Sequence, residues 1–345
     1  MEDLDTSSEL DLSCLLLSNF QLKSLSAHFG FNPINIRKLV LRNNSLKELP
    51  SSISDLCNLQ ELDASSNQIS WISGEIFCLK QINKLELRNN QLQTLPKEFE
   101  NCSSLKILNL GGNLFTDIPP PIFNLKGLQK LFLGGNKIAV LPPQIEKLTR
   151  LEVLYLGGNL LKTVCPNLGK LKHLKQLVLC DNQLEVIPQE FGFLKSLESL
   201  SLHQNYLKTL PMGILSLVNL QELTLRDNPL VNTFIKKLEF NPPTLLEICG
   251  RCIKKAKVPY TQHDLPRVLC NYLNSAQCCV NPKCDGVYFD SRVKCIKFVD
   301  FCGKYRLPLE QYLCSPCDNG DSKFDAVDSY IMQKVLLPKN VVESD

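Results

Sequence analysis

One spacing dominates this sequence, because asparagine returns every 23 residues through most of the chain. Each asparagine is preceded by a leucine or a similar apolar residue five and three positions earlier, and an apolar residue follows two positions later. A strict period predicts stacked copies of one structural unit, since a single unit cannot bury its own apolar residues. The periodic residues are Asn44, Asn67, Asn90, Asn113, Asn136, Asn159, Asn182, Asn205 and Asn228.

The repeated pattern Leu-x-x-Leu-x-Leu-x-x-Asn-x-Leu is that of the leucine-rich repeat. It predicts an α/β solenoid, a horseshoe of about ten 23-residue repeats in which each repeat adds one strand to a parallel sheet. The asparagine amides are expected to bond backbone groups along the stack. The prolines that follow many repeats should begin an irregular or 3₁₀ segment on the other side. A first, degenerate turn is predicted from Leu15, Leu17 and Leu22, with Phe20 in the asparagine position.

Composition narrows the class of protein. Apolar residues make up 44% of the chain and charged residues 21%, so we expect a soluble protein with a sizeable core. The net charge of +3 argues against a nucleic-acid partner held through its phosphates. Apolar runs are too short to cross a membrane, and the acidic stretch Met1–Asp5 does not resemble a signal peptide. We therefore expect a cytoplasmic location, with the nucleus as a second compartment, and reduced cysteines.

The outward face of the sheet is the expected place for recognition. Three successive repeats carry Gly-Gly, at 111–112, 134–135 and 157–158, beside residues that include Phe132 and Tyr155. Either the glycines let a partner approach the backbone while the aromatic rings anchor it, or Gly-Gly eases the turn and the rings cover the sheet. The predicted client-binding residues are Arg88, Asn109, Phe132, Tyr155, Val178, His203 and Arg226.

A helix is predicted directly after the repeats. Thr244 and Glu247 match a capping box, in which each side chain satisfies a free backbone N–H of the first turn. Leu245, Cys249 and Ile253 follow at intervals of four and so fall on one stripe of the helix. The simplest interpretation is a helix that caps the open end of the solenoid.

The same segment resembles the elongin-C-binding box of SOCS-box and von Hippel–Lindau-type proteins. The resemblance implies that the leucine enters an apolar groove of elongin C, and that the following segment, 264–273, contacts cullin-2 or cullin-5. Val268 stands where the cullin-5 form usually has a second proline. The implied elongin contacts are Thr244, Leu245, Cys249 and Ile253, and the implied cullin contacts are Leu265, Pro266, Leu269 and Leu273.

The cysteines concentrate in the segment 276–317, where two pairs are separated by two stretches typical of β-strands, 287–289 and 296–301. Four thiolates from two such pairs suit tetrahedral zinc, so the spacing predicts a small zinc-ribbon-like module. Cys278 and Cys302 are reserve ligands, because the first pair has a wider spacing than usual. The alternative is a small core that contains free cysteines. The predicted zinc ligands are Cys279, Cys284, Cys314 and Cys317.

The order of these segments resembles that of leucine-rich-repeat substrate receptors of cullin–RING E3 ubiquitin ligases. The resemblance implies a non-catalytic receptor that binds a client on its repeats, elongin B/C on its box, and a cullin with its RING partner. Two other functions remain open. One is a cytosolic scaffold or signalling regulator, and the other is an enzyme with a tail cysteine as nucleophile, for which the sequence supplies no nearby histidine–acid arrangement. The predicted parts are the repeats at 1–240, the box at 241–275, the cysteine module at 276–317 and a tail at 318–345.

Overall fold

The computed structural model describes residues 8–17, 32–231, 243–279, 284, 286–301 and 305–314. The chain divides into two compact units. The first comprises Met1–Leu207 and Asn219–Pro229, and the second comprises Lys208–Val218 and Leu230–Asp345. The predicted box and the predicted cysteine module therefore belong to the same unit.

The first unit is built on a ten-stranded parallel sheet. Matching positions of successive repeats pair in register, as in Leu62 with Leu85 and Leu108 with Leu131. The strands follow one another in the sheet in the order of the chain, so each repeat adds one strand beside the last. Its strands are β1 Glu9–Asp11, β2 Lys38–Val40, β4 Glu61–Asp63, β6 Lys84–Glu86, β7 Ile107–Asn109, β8 Lys130–Phe132, β9 Val153–Tyr155, β10 Gln176–Val178, β11 Ser199–Ser201 and β13 Glu222–Thr224.

The core of this unit is formed by the periodic leucines. Leu108 and Leu110, like their counterparts in the other repeats, are buried. The asparagine ladder is confirmed: Asn113 Nδ2 donates to the carbonyls of Leu87 and Leu110 at 3.0 and 2.9 Å, and its Oδ1 accepts from Leu92 N at 3.0 Å. Each asparagine thus joins neighbouring repeats while satisfying buried backbone groups.

The first turn was predicted in the wrong register. The edge strand is β1, in which Leu10 pairs with Leu39, and Asn44 Nδ2 donates to Leu12 O at 2.8 Å. Leu15 therefore holds the asparagine position and is exposed, whereas the prediction placed it on the strand. The reason is that extra residues separate the first two strands, so the 23-residue period fails there. Phe20 and Leu22 lie outside the described residues.

The side opposite the sheet is made of short 3₁₀ helices, as the prolines predicted. Most begin directly after proline or with it, because proline favours the first turn and has no N–H to leave unpaired. Two short strands, β3 Glu48–Leu49 and β5 Trp71–Ile72, also pair on this side. The 3₁₀ helices of this unit are Pro33–Asn35, Ser51–Asp55, Gly74–Cys78, Lys97–Asn101, Pro120–Asn124, Pro143–Lys147, Pro166–Lys170 and Gln189–Phe193, and a further one, Met212–Ser216, belongs to the second unit.

The second unit contains two α-helices, α1 Leu245–Lys255 and α2 Arg267–Asn274. Its sheets are small. One has the order β12 (Leu210–Pro211), β17 (Tyr305–Leu313), β16 (Val293–Phe301), and the other pairs β14 (Gln277–Cys278) with β15 (Val287–Tyr288). Among the described residues, no helix is long and apolar enough to cross a membrane.

Candidate functional site

Helix α1 turns its apolar residues outward and its polar residues inward. Leu245 is 77% exposed, and Leu246 and Ile248 are exposed at 51% and 45%. Cys249 and Cys252 are exposed as well. We call these five residues the outward face of α1. An apolar helix stripe normally packs on a core, so this orientation marks a surface suited to another protein.

The inner side of α1 is held by a buried carboxylate. Glu247 is 1% exposed, and its oxygens accept from the backbone N–H groups of Phe289 and Ser291 at 3.2 and 2.8 Å. Arg251, one turn later, forms an ion pair with the same carboxylate. Burial raises the pKa of Glu247, but these hydrogen bonds outweigh it and hold the pKa below its usual value of 4.5.

Arg251 connects α1 to the end of β17. Its Nη1 donates to Cys314 O at 2.7 Å, and its Nη2 donates to Ser291 O. Gly250 lets the helix come close to this region, since a Cβ at this position would lie 3.0 Å from the ring of Phe289. That ring stacks on Tyr272 of α2, with centroids 4.5 Å apart. The two helices and the β15–β16 segment are therefore packed together.

The predicted elongin contacts occupy different environments. Thr244 is the N-cap of α1, and its side chain accepts from Glu247 N at 3.2 Å. The capping box is thus half right, because the Glu247 side chain accepts from Phe289 and Ser291 instead of reaching back to the cap. Leu245 and Cys249 are exposed and Ile253 is half-buried. Ile248, which the sequence reasoning passed over, belongs to the outward face.

The predicted cullin contacts, at the start of α2 and along it, differ in how exposed their side chains are. Pro266, its N-cap, is exposed, and Leu265 and Leu269 are half-buried. Leu273 is only 4% exposed, so its side chain is part of the core of this unit and not of its surface. Val268 is 77% exposed and is the apolar residue of α2 most open to solvent. The apolar spacing alone could not distinguish these two positions.

Three cysteines come together beside the inner side of α1. The Sγ atoms of Cys279, Cys284 and Cys314 all lie within 4.8 Å of one another, and those of Cys284 and Cys314 are 3.4 Å apart. We call these residues the thiol cluster. Cys278 is exposed on β14 and does not belong to the thiol cluster. The other predicted ligand, Cys317, and the reserve ligand Cys302 lie outside the described residues.

Backbone N–H groups are directed at the sulfurs of the thiol cluster. Gly286 N donates to Cys284 Sγ at 3.3 Å, and Cys314 N donates to Cys279 Sγ at 3.5 Å. The bond from Gly286 is the main reason why the pKa of Cys284 is below its usual value. A Cβ on Gly286 would lie 2.7 Å from Cys314 Sγ, so glycine is required for this close approach. Such bonds stabilise thiolates, which are the form that binds metal.

The sheet of the first unit carries an aromatic pair on its outward face. Phe132 is half-buried and Tyr155 is 37% exposed, with ring centroids 6.4 Å apart. These residues lie side by side on the sheet, because Asn109 pairs with Phe132 and Phe132 with Tyr155 on neighbouring strands. The pair offers rigid apolar area on a flat surface, which suits contact with another protein.

The glycines near this pair do not open the backbone to a partner, which was the first of the two interpretations. A Cβ on Gly134 would lie 2.3 Å from Cε1 of Tyr155, so the ring fills the space that the glycine leaves. Gly134 and Gly157 are buried. The second glycine of each pair, such as Gly112 at φ 64°, takes the left-handed conformation of the turn. Gly-Gly therefore eases the turn and seats the aromatic ring.

The other predicted client contacts vary in exposure. Arg88 and Arg226 are exposed, and His203 Nδ1 lies 3.2 Å from Thr224 Oγ1. Asn109 is half-buried and accepts from Gly111 N at 3.0 Å. Val178 is 7% exposed and adds little surface.

Sequence reasoning missed a column of outward-facing residues, at the first position of each strand. The signal was available, because the residues on both sides of a buried strand leucine point outward. Near the first strands this column is charged. Together with neighbouring strand residues such as Val40 and Asp63, it lines a pocket of about 240 Å³. Lys38 in this column bridges to Glu9 at 2.7 Å. The column contains Glu9, Lys38, Glu61, Lys84, Ile107, Lys130, Val153, Gln176, Ser199 and Glu222.

Comparisons with known proteins agree with the repeat architecture. A family model described as leucine rich repeat matches residues 65–115, 103–161 and 172–230. Two solved structures are similar in fold. One is a chain of the octameric complex of Latrophilin 3, Unc5D and FLRT2, with TM-score 0.53 and 28% identity, covering 66% of this chain and 77% of that one. The other is the plant peptide hormone receptor RGFR1 in complex with RGF2, with TM-score 0.50 and 29% identity, covering 56% and 32%.

Curated relatives share higher identity over shorter stretches. Leucine-rich repeat-containing protein 58 of Xenopus laevis is 52% identical over 120 residues, which cover 32% of this chain and 34% of the relative. The proteins of the same name from Mus musculus and Homo sapiens are each 61% identical over 88 residues, covering 26% of this chain and 24% of theirs. The matches thus span about a quarter to a third of the relatives' length. Neither these names nor the description of the family model denotes an enzyme. Residues 65–161 and 172–230 thus match the leucine rich repeat model, and parts of the chain are similar to proteins named leucine-rich repeat-containing protein 58.

Proposed function

We propose that this protein is a substrate-recognition subunit of a cullin–RING E3 ubiquitin ligase. In this proposal α1 binds elongin C of the elongin B/C pair, and the start of α2 contacts cullin-2 or cullin-5 with its RING partner. The sheet of the repeats binds the client protein. The subunit performs no chemistry itself, because it accelerates ubiquitin transfer by holding a client lysine near the ubiquitin-carrying enzyme.

The observation that carries the proposal is the outward face of α1. A leucine that becomes fully buried on binding contributes roughly 1.5–3 kcal/mol, and Leu245 has most of its surface available. An apolar helix face that enters a groove is a common mode of protein recognition. The charged side chains on the inner side of α1 are already paired, because Glu247 forms an ion pair with Arg251. Docking therefore does not require α1 to rotate about its axis.

The client part of the proposal is supported by the repeats. Leucine-rich repeat arrays bind protein partners on rigid exposed surfaces, and the solved structures similar to this chain include complexes with other proteins. The aromatic pair Phe132 and Tyr155 is the most suitable anchor on the sheet, because large rings lose little conformational freedom on binding. A scaffold without a ligase role would use the same surface, so α1 distinguishes the two functions.

The deciding experiment measures binding of purified elongin B/C to the full chain. Leu245→Asp places a charge in the docking surface and should weaken binding at least about tenfold. Val140→Asp is the matched control, because Val140 is also an exposed apolar residue but lies in the repeat array. The circular dichroism of both variants should match the wild type. Equal affinity of Leu245→Asp and wild type would exclude the elongin assignment.

Cysteine labelling provides a footprint of the same contact. Cys249 and Cys252 belong to the outward face, whereas Cys57 is exposed in the first unit. Elongin B/C should slow alkylation of Cys249 and Cys252 and leave Cys57 unchanged. If elongin B/C binds but protects neither helix cysteine, the contact is elsewhere and the function of the outward face must be assigned again.

A further inference from the structure

The thiol cluster has the geometry of a metal site. A zinc ion bound by thiolates at about 2.3 Å in a tetrahedron places sulfur atoms about 3.8 Å apart. The Sγ atoms of Cys284 and Cys314 are 3.4 Å apart, and all three sulfurs lie within 4.8 Å. The three residues therefore fit three corners of a tetrahedron.

The surroundings of the cluster favour a metal over three unrelated thiols. Two backbone N–H groups, from Gly286 and Cys314, are directed at sulfur. Cys279 N donates to Gly286 O at 2.8 Å, which extends the pairing of β14 with β15 beside the cluster. Sulfur ligands without oxygen or imidazole select zinc among the metals common in structural sites.

The cluster is connected to α1 through one residue. Cys314 supplies Sγ to the cluster, while its carbonyl oxygen accepts from Arg251 Nη1 at 2.7 Å. Arg251 is paired with Glu247, which in turn accepts from Phe289 N and Ser291 N. Residues 289 and 291 lie in the chain between the cluster ligands Cys284 and Cys314. A metal that fixes both ends of this stretch also fixes the groups that hold the inner side of α1.

Helix α1 needs such support because its inner side is polar. Its buried residues are Glu247 and Gly250, so burial of apolar side chains contributes little to holding it. Its position depends on hydrogen bonds, which stabilise a fold only while both partners stay in place. Small units with little apolar core are commonly stabilised by a metal.

We propose that Cys279, Cys284 and Cys314 bind a structural zinc ion, and that this ion keeps α1 in place with its apolar face outward. The ion plays no part in catalysis. Capture of elongin C then depends on zinc, and this consequence rests on the proposed function. The effect of zinc on the position of α1 does not.

The first test is metal analysis of the purified full chain. The wild type should carry about one zinc per chain. Cys284→Ser and Cys314→Ser should lose it, whereas Cys278→Ser should retain it, because Cys278 neighbours the cluster in sequence but is exposed. Well-folded wild-type protein without zinc would overturn the metal site, as would unchanged zinc in both cluster variants.

The second test reads the position of α1 without any partner. Removal of zinc by a chelator, or Cys284→Ser, should make amide hydrogen exchange in 245–255 at least about tenfold faster. Exchange in the repeats, such as 107–159, should not change, so global unfolding is distinguished from a local effect. Arg251→Met should accelerate exchange in the helix while zinc stays bound, because it removes the link and no ligand. Unchanged exchange in 245–255 after zinc loss would overturn the coupling, whatever the outcome of the elongin experiment.

Discussion

Asn136 illustrates how one residue joins successive repeats. Its Nδ2 donates to Leu110 O at 3.0 Å and to Leu133 O at 2.9 Å, and its Oδ1 accepts from Phe115 N at 3.1 Å. These backbone groups are buried, so water cannot replace the amide. An unsatisfied buried group costs about 1–3 kcal/mol, so a side chain with both a donor and an acceptor is favoured at this position.

Asn136→Ala should therefore destabilise the repeat array by at least about 2 kcal/mol. Asn101→Ala is the control, because Asn101 is exposed and the same change there should alter stability by less than about 0.5 kcal/mol. Urea unfolding followed by circular dichroism measures both. Equal midpoints for the two variants would mean that the ladder contributes nothing to stability.

Glu247 shows a second kind of buried polar residue, one that orients a helix. Its carboxylate is satisfied by Arg251 and by two backbone N–H groups, and these bonds hold its pKa below 4.5. A depressed pKa means that the folded state favours the charged carboxylate. The resulting stabilisation is complete above pH 4.5 and is lost as the pH falls through the folded-state pKa.

Glu247→Gln should destabilise the second unit at pH 7 by roughly 1.5–3 kcal/mol, since hydrogen bonds to a charged group are replaced by weaker ones. The difference from wild type should shrink below pH 4.5, because the wild-type carboxyl then becomes neutral too. Comparison of the two proteins at each pH cancels the effect of acid on other groups. The exposed Glu185→Gln serves as control. A difference that does not depend on pH would show that the charge of Glu247 is not what stabilises the unit.

Helices and strands could be predicted from the sequence where a single local pattern determines them. The strands and their register follow from the leucine period, and Thr244 marks the start of α1. The first strand could not be placed, because inserted residues shift it out of the period. Strand β17 was missed for another reason. It contains Pro308 and pairs on both sides, with β12 and β16, although proline normally excludes a central strand.

The orientation of a helix is harder to predict than its position. The stripe of Leu245 and Cys249 has the spacing of a core-facing helix, and the simplest expectation was that it would pack on the end of the solenoid. The structure buries Glu247 and Gly250 instead, because the polar groups of Phe289, Ser291 and Arg251 need that carboxylate. The contacts with Phe289 and Ser291 are distant in sequence, so periodicity alone contains no information about them.

At the scale of the whole molecule, the two proposed binding surfaces belong to different compact units. The aromatic pair of Phe132 and Tyr155 lies in the first unit, and the outward face of α1 lies in the second. Each surface consists of exposed side chains on a separately packed core. A substitution of such side chains should therefore affect one binding event and leave the other unchanged.

This arrangement predicts that client binding and ligase assembly can be separated by mutation. Phe132→Ala with Tyr155→Ala should release the client, because loss of one anchoring aromatic typically costs about 2–4 kcal/mol, and should leave elongin B/C binding unchanged. Leu245→Asp should do the reverse, so that it still binds the client but no longer supports ubiquitination.

In cells, either variant should lengthen the client half-life, and the two together should lengthen it no further, because each alone already interrupts the same process. The half-life and both binding events are measured for the wild type, each variant and the combination, with Val140→Asp as the neutral surface change. An additive effect on half-life would mean that the two surfaces act in independent processes. The aromatic pair would then serve a scaffold function unrelated to ligase assembly.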